Sequence, residues 1–332
     1  MKYKKENSDL SKSSIKLVNY LPNIGINTAK EEIIEGLKAD PKYISSKFFY
    51  DEKGSRLFEE ITTLDEYYPT RTEKAIISAI EKNLDIDFSQ LNLIDLGSGD
   101  YSKIRLLFRR LSTKDFAGMK YFPVDISQST LERAGEKLLN EFPALKIEGI
   151  VADFIHQLHL MPGDRKKLFC FFGSTIGNFQ REEIKEFLRS LGEQMRLGDG
   201  LLLGLDMVKD IYILEKAYND TRGITAAFNK NILHVVNNFI ETDFRANDFD
   251  HLAFYNPAKK RIEMHLKTLK DIAVQKTDKP FITLYAGETI HTENSHKFDQ
   301  SDIELFARWA GLNVDKILSD DNQWFSLVYY TK

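Results

Sequence analysis

Apolar and polar positions change their period along the chain, and each change predicts a different kind of structure. From about residue 28 to 85 apolar positions recur at helical spacing. Helices are expected over 51–64 and 70–82, with Pro69 suited to the start of the second. From about 91 short apolar runs alternate with amphipathic segments. The runs predict strands at 91–96, 119–124, 145–151, 168–172 and 201–206, and the segments predict helices at 103–111, 127–141 and 182–195. Strand and helix alternating in this way predict an α/β fold, a parallel sheet covered on both faces.

Residues 209–297 break the alternation. They open helical and then give extended stretches at 252–255, 261–266 and 281–286, with a hairpin loop at 256–260 containing Pro257. This reads as an α+β insert. A helix at 301–310 and strands at 314–319 and 324–330 follow, the last two expected to pair antiparallel and complete the sheet. The expected organisation is a nucleotide-binding core (71–208 and 298–332) with a substrate-binding domain (16–70 and 209–297), a ligand cleft between them, and a mobile polar terminus over 1–15.

Composition adds mainly exclusions. The 332 residues carry 42% hydrophobic side chains and a net charge of −4, with 46 scattered basic residues rather than the basic stripe of a nucleic-acid binder. The longest apolar runs are far too short to span a bilayer, and the first residues lack the apolar stretch of a signal peptide. A cytoplasmic protein is expected. The lone cysteine, Cys170, lies in the apolar run LFCFFG and reads as a buried, inert thiol.

Four strand ends carry candidate chemistry. Asp95-Leu-Gly97-Ser-Gly99-Asp100 lies between a strand and a helix, where glycines let the backbone turn and approach a ligand. A dinucleotide fingerprint needs a third glycine, and Ser102 stands there instead. Asp95 and Asp100 would place negative charge near the ligand, which suits a cationic sulfonium better than a pyrophosphate. Asp125 ends the next strand and is placed to accept ribose hydroxyls, or else to cap the following helix. Asp153-Phe154 offers an acid for an adenine amino group and a ring to pack on the base. Acids after three successive strands fit S-adenosylmethionine. The fourth strand end, Gly173-Ser-Thr-Ile-Gly177-Asn178, presents small residues and one amide, Asn178, which is alternatively a helix cap. Glu66-Tyr67-Tyr68-Pro69 and Thr292-Glu293-Asn294-Ser295 read, on residue types alone, as solvated turns. The histidines show no metal-ligand spacing, and no nucleophile–base triad is visible.

At this point the chain resembles the L-histidine Nα-methyltransferases of ergothioneine biosynthesis, from about residue 42 to 330. The matching strings are KFFYDEKGSRLFEEITTLDEYYPTRTE, LIDLGSGDYSK, YFPVDIS, ADF, FFGSTIGNF, GITAAFNKNIL, IEMHL and TENSHKF. The resemblance implies a Rossmann-like class I methyltransferase sheet with an inserted α+β substrate-binding domain, S-adenosyl-L-methionine as cofactor, and L-histidine as substrate. The reaction it implies is trimethylation of the α-amine to histidine trimethylbetaine (hercynine) by a monomer, with neither nucleic acid nor membrane as partner. It implies cofactor contacts for Gly97, Lys103, Asp125, Asp153 and Phe154, with Lys103 on the cofactor's carboxylate. It places Asn178 and Tyr218 on the substrate carboxylate, Tyr50 and Gly173 near the amine, and Tyr67, Met264, Glu293 and Ser295 around the imidazole.

Ile104 and Asn294 depart from the family's usual residues and bear on fine specificity. A carboxylate such as Glu293 suits a ring N–H and would sit poorly against an apolar ring. Two other readings stand beside this one: the same reaction on a different amino acid or aromatic amine, and a non-catalytic S-adenosylmethionine-binding protein. A nicotinamide-dependent oxidoreductase is disfavoured by Ser102.

Overall fold

The computed structural model describes residues 15–21, 26–80, 84–277 and 279–332. Residues 1–14 of the terminus expected to be mobile, and Glu81 and Lys82 of the expected second helix, lie outside the described residues. In chain order the elements begin β1 (Lys16–Asn19), α1 (Ile26–Lys38), α2 (Glu52–Ile61) and α3 (Tyr68–Ser78). They continue through β2 (Leu91–Leu96), α4 (Tyr101–Phe108), α5 (Thr113–Gly118), β3 (Lys120–Asp125), α6 (Gln128–Glu141), β4 (Glu148–Val151), β5 (Lys166–Phe171), α7 (Arg181–Gln194) and β6 (Gly200–Asp206). Then come α8 (Ile211–Tyr218), α9 (Ile224–Ile240), β7 (Phe249–Asn256), β8 (Arg261–Thr268), β9 (Ile272–Lys276), β10 (Lys279–Leu284) and β11 (Thr289–His296). The chain closes with α10 (Gln300–Ala310), β12 (Asn313–Ser319) and β13 (Phe325–Thr331). The architecture is Rossmann-like α/β with an α+β insertion.

Contacts group the described residues into two compact units. The first takes those within 1–21 and 86–167. Its strands run in the order β1-β4-β3-β2 and pair in parallel, with Lys16 opposite Glu148, Val124 opposite Ile150 and Asn92 opposite Lys120. All six residues of β2 are buried, as a parallel strand covered on both faces requires. The helices start where polar side chains meet orphan amides. Asp100 accepts from the Ser102 N–H ahead of α4, and Ser112 and Asp115 close a capping box on α5. Strand β1 corrects one expectation: residues 16–19, grouped above with the substrate-binding domain, add to β4 instead. Its four residues, KLVN, are too few to show a period.

The second unit takes residues within 22–85 and 168–332. Here β5 and β6 pair in parallel, β13 runs antiparallel to β6, and β12 antiparallel to β13, the closing pair expected from sequence. The insertion supplies a three-stranded antiparallel sheet, β11-β8-β7, and the hairpin β9-β10. Helix α9 supplies Phe228, Ile232, Leu233, Val235 and Val236 to a core completed by Phe49, Tyr68, Ile262, Met264 and Leu266. The turn at 256–260 joins β7 to β8 as expected. Thr292–Ser295, read above as a solvated turn, is strand β11 and is almost fully buried. Among the described residues no helix is long and apolar enough to cross a membrane.

Candidate active site

In the first unit the three strand ends converge. Gly97 follows β2 with φ of +71°, in the left-handed region that costs a side-chain-bearing residue energy, and its N–H donates to the Val124 carbonyl at 2.9 Å. A Cβ placed on Gly97 would stand 3.6 Å from the Phe154 ring, and one on Gly99 would stand 3.4 Å from the Asp125 carboxylate. Gly97, Gly99, Asp125 and Phe154 therefore share one cradle whose floor is bare backbone. The Asp125 carboxylate accepts the Ser127 N–H at 2.9 Å, and Ser127 itself is the N-cap of α6, so the capping alternative for Asp125 does not hold. Burial raises the Asp125 pKa, and amide donors including Ser127 and Gly99 oppose that rise. Asp153 accepts from the Ile155 N–H at 3.0 Å, turning the chain just before Phe154.

Two acids serve the protein rather than the cradle. Asp95 is buried and receives the Tyr121 hydroxyl at 2.9 Å, and burial pushes its carboxyl up to about 7. Asp100 is engaged with Ser102 at the start of α4. Asp95 is thereby turned to Tyr121, and Asp100 to the start of α4. Bare backbone at Gly97 and Gly99, a carboxylate at Asp125 to take a diol and the Phe154 ring to cover a base fit S-adenosylmethionine.

In the second unit, distant stretches of chain meet around β11. Glu293 lies opposite Met264 of β8, and both side chains are buried. Asn178, at the end of a 3-10 turn over Thr175–Asn178, donates from Nδ2 to Glu293 Oε1 at 3.3 Å. The N-cap of α7 is Gln180, which disposes of the capping alternative for Asn178. Burial pushes the Glu293 carboxyl up to about 7, against the pull of the Lys297 charge. The Tyr218 hydroxyl, at the end of α8, donates to Ser295 Oγ at 2.7 Å. The ring of Tyr67, the N-cap residue of α3, meets that of Tyr218 edge-on at 6.2 Å. Its phenol is raised well above the usual range by burial and by neighbouring Tyr218 and Glu293. Phe58 packs edge-on against both Tyr67 and the half-exposed Tyr50, at 6.4 and 5.7 Å between centroids. Gly173, with φ of +82°, lies two residues past the end of β5. The structure thus brings together Tyr67, Asn178, Tyr218, Met264, Glu293 and Ser295, with Tyr50 one ring away.

The profile of the family described as "Histidine-specific methyltransferase, SAM-dependent" matches residues 29–332. A histidine N-alpha-methyltransferase of Mycolicibacterium smegmatis is 37% identical over 302 residues, covering 90% of this chain and 94% of that protein. One from Mycobacterium tuberculosis is 35% identical over 316 residues, covering 94% of this chain and 98% of its own. The ergothioneine biosynthesis protein 1 of Schizosaccharomyces pombe is 29% identical over 246 residues, covering 70% of this chain and 32% of that protein.

The chain belongs to the histidine-specific, S-adenosylmethionine-dependent methyltransferases.

As a member of this methyltransferase family, the protein uses S-adenosylmethionine, and the residues that residue-type reasoning passed over gain interest. Glu73 of α3 is fully buried and accepts the Gly173 N–H through both oxygens, at 2.7 and 2.9 Å. It fits because Gly204 of β6 has no side chain: a Cβ there would lie 2.4 Å from Glu73 Oε1. Behind Tyr218 and Ser295 sit three buried charged side chains, Lys297, Asp206 and Lys209, with the Tyr68 hydroxyl on Asp206. Glu73 has its partner Gly173 100 residues away, and Asp206 pairs with Lys297 91 residues away, with Lys209 as its local partner.

Proposed function

We propose that this enzyme transfers methyl groups from S-adenosylmethionine to the α-amine of L-histidine, in successive rounds to the trimethylbetaine. The observation that carries this reading is Glu293. It is a nearly buried carboxylate whose hydrogen bond is a long one from Asn178, and a carboxylate has lone pairs to spare. A ligand bearing a ring N–H satisfies it; an apolar ring leaves it costly.

S-adenosylmethionine supplies a methyl group already activated on a sulfonium, so the protein's task is alignment and exclusion of water. In this reading Gly97, Lys103, Asp125, Asp153 and Phe154 hold the cofactor. The bare backbone at Gly97 admits it, Asp125 takes its diol, and Phe154 covers its base. Asn178 and Tyr218 hold the histidine carboxylate. Tyr67, Met264, Glu293 and Ser295 surround the imidazole, Glu293 accepting a ring N–H. Tyr50 and the backbone at Gly173 orient the amine, which gives its proton to water before each transfer and attacks as the free base; the methyl's bond to sulfur breaks and S-adenosylhomocysteine leaves. Glu73 keeps the Gly173 amide fixed. Family membership and the two mycobacterial relatives, covered almost end to end, support the choice of histidine.

The test is to incubate the protein with S-adenosylmethionine and a panel of amino acids that includes tryptophan, and to follow products by mass spectrometry. Mono-, di- and trimethylated histidine are expected. Turnover of tryptophan with none of histidine would replace this reading by the aromatic-amine alternative, and no turnover of any amine would favour a binding protein.

A further inference from the structure

Lys297 is fully buried, immediately beyond β11, and each contact of its ammonium can be counted. It lies 2.8 Å from Asp206 Oδ2, 2.7 Å from Ser295 Oγ and 3.2 Å from the Tyr218 hydroxyl. A lysine ammonium has three donors and no acceptor, so these partners use all of them. Asp206 is in turn held by Lys209 and by the Tyr68 hydroxyl at 2.7 Å, which fixes the far side of the pair. Burial alone would lower the Lys297 pKa, but the Asp206 charge outweighs it and keeps the ammonium charged.

The consequence falls on the two hydroxyls. Ser295 and Tyr218 lie 2.7 Å apart, and each accepts a hydrogen bond from the same ammonium. Ser295 Oγ then has both lone pairs filled, by Lys297 and by the Tyr218 hydroxyl, so a ligand meets its O–H as a donor. One proton lies between the two oxygens and the other is left to point outward. When ligand oxygens or nitrogens approach, the shared proton is also released toward them, because Lys297 still satisfies both oxygens. Without a donor behind them, the hydroxyls would bond each other and accept from a ligand as readily as donate to it.

We propose that Lys297 is a positioning residue that acts through Ser295 and Tyr218, holding both hydroxyl oxygens so that the pair recognises hydrogen-bond acceptors on the substrate. This rests on the reading of Ser295 and Tyr218 as histidine contacts. The acceptors it selects are a carboxylate oxygen and an unprotonated ring nitrogen, which leaves the ring N–H for Glu293. Lys297 touches no substrate in this arrangement; it sets which way the hydroxyls point.

The experiment is a comparison of Lys297→Met in two backgrounds, the wild type and the Tyr218→Phe/Ser295→Ala double variant. Histidine affinity and the affinity for S-adenosylhomocysteine are both measured by calorimetry, and KM and kcat for histidine alongside. In the wild-type background the histidine Kd should weaken by about tenfold or more, since two charge-assisted hydrogen bonds are lost. KM should rise more than kcat falls, with S-adenosylhomocysteine affinity held. In the double-variant background the same change should cost less than about twofold, because the groups through which Lys297 acts are gone.

Lys297→Gln keeps an amide donor and should recover part of the loss. It also carries the comparison if Lys297→Met does not fold. An equal loss in both backgrounds, or no loss in the wild type, overturns the proposal. Failure of the wild-type protein to bind histidine at all would instead overturn the substrate reading on which it rests.

Discussion

The cofactor cradle and the polar cluster around β11 are built on opposite plans. The cradle is local and made of backbone. Gly97 and Gly99 follow one strand, Asp125 the next and Asp153-Phe154 the third, and its acids are tied to amides a residue or two away. The cluster is long-range and made of side chains. Asn178 reaches Glu293 across 115 residues, Tyr218 reaches Ser295 across 77, and Lys297, just past β11, reaches Asp206 at the end of β6. A ligand shared by many enzymes can be met by a turn that any parallel strand end supplies. A ligand particular to one family needs charges and hydroxyls collected from several elements and buried there. Burial then leaves its mark on the carboxylates: Glu293 is pushed up to about 7, whereas Asp299, half-exposed and paired with Lys260, is held down to about 2.

The difference makes the two plans separable by mutation. The largest effect on the cradle should come from Asp125→Ala. Losing a charged acceptor for the diol should weaken S-adenosylhomocysteine by about 100-fold, measured by calorimetry. Next is Gly97→Ala. Its Cβ meets nothing in the protein closer than ordinary contact with Phe154, so the left-handed backbone costs about 1–2 kcal/mol of stability, while the Cβ itself rises from the cradle floor into the cofactor's space and should weaken S-adenosylhomocysteine by roughly tenfold. If Gly97→Ala binds the cofactor like the wild type, the turn is not the floor of the site.

Glu293→Gln sharpens the comparison through stability. The folded pKa of Glu293 lies near 7, above its unfolded value of 4.5. Its contribution is therefore fully favourable below about pH 4.5 and is lost as pH rises through about 7. Burying the carboxylate should cost the ligand-free protein on the order of 2–3 kcal/mol above pH 7. Glu293→Gln should accordingly raise the Tm of the ligand-free protein by several degrees at pH 8 and change it little at pH 5, followed by calorimetry. A lower Tm at pH 8 would mean that the carboxylate holds the fold together instead. The smallest effect is expected of Tyr50→Phe. Its half-exposed hydroxyl should matter by a few-fold in kcat for the three methylation steps and not at all in cofactor affinity.

The same contrast explains what the sequence disclosed. The Rossmann-like alternation, the closing antiparallel pair and the turn at 256–260 were legible because their apolar periods are regular. Strand β11 was not. Its TIHTENSH carries polar residues on both sides, so alternation could not mark it, and polar residues in sequence look like a turn whether or not they are buried. Asp125 and Phe154 could be picked out from their place after strands. Tyr67 and Glu293 drew attention only through the family resemblance, because what makes them special is burial beside each other. Asp95 shows the converse error: its place in the turn suggested a ligand, while its carboxylate faces Tyr121 in the interior. Glu73 shows that a charged residue on an amphipathic helix can be fully buried when a glycine on a neighbouring strand makes room for it.

On this reading, methyl donor and methyl acceptor are recognised by separate constructions. The measurement that tests it most directly is a calorimetric cross: Glu293→Ala and Asp125→Ala, each titrated with histidine and with S-adenosylhomocysteine. Glu293→Ala should lose histidine affinity by about 100-fold and keep the cofactor analogue within about twofold, and Asp125→Ala should do the reverse. Equal losses of both ligands in either variant would contradict it.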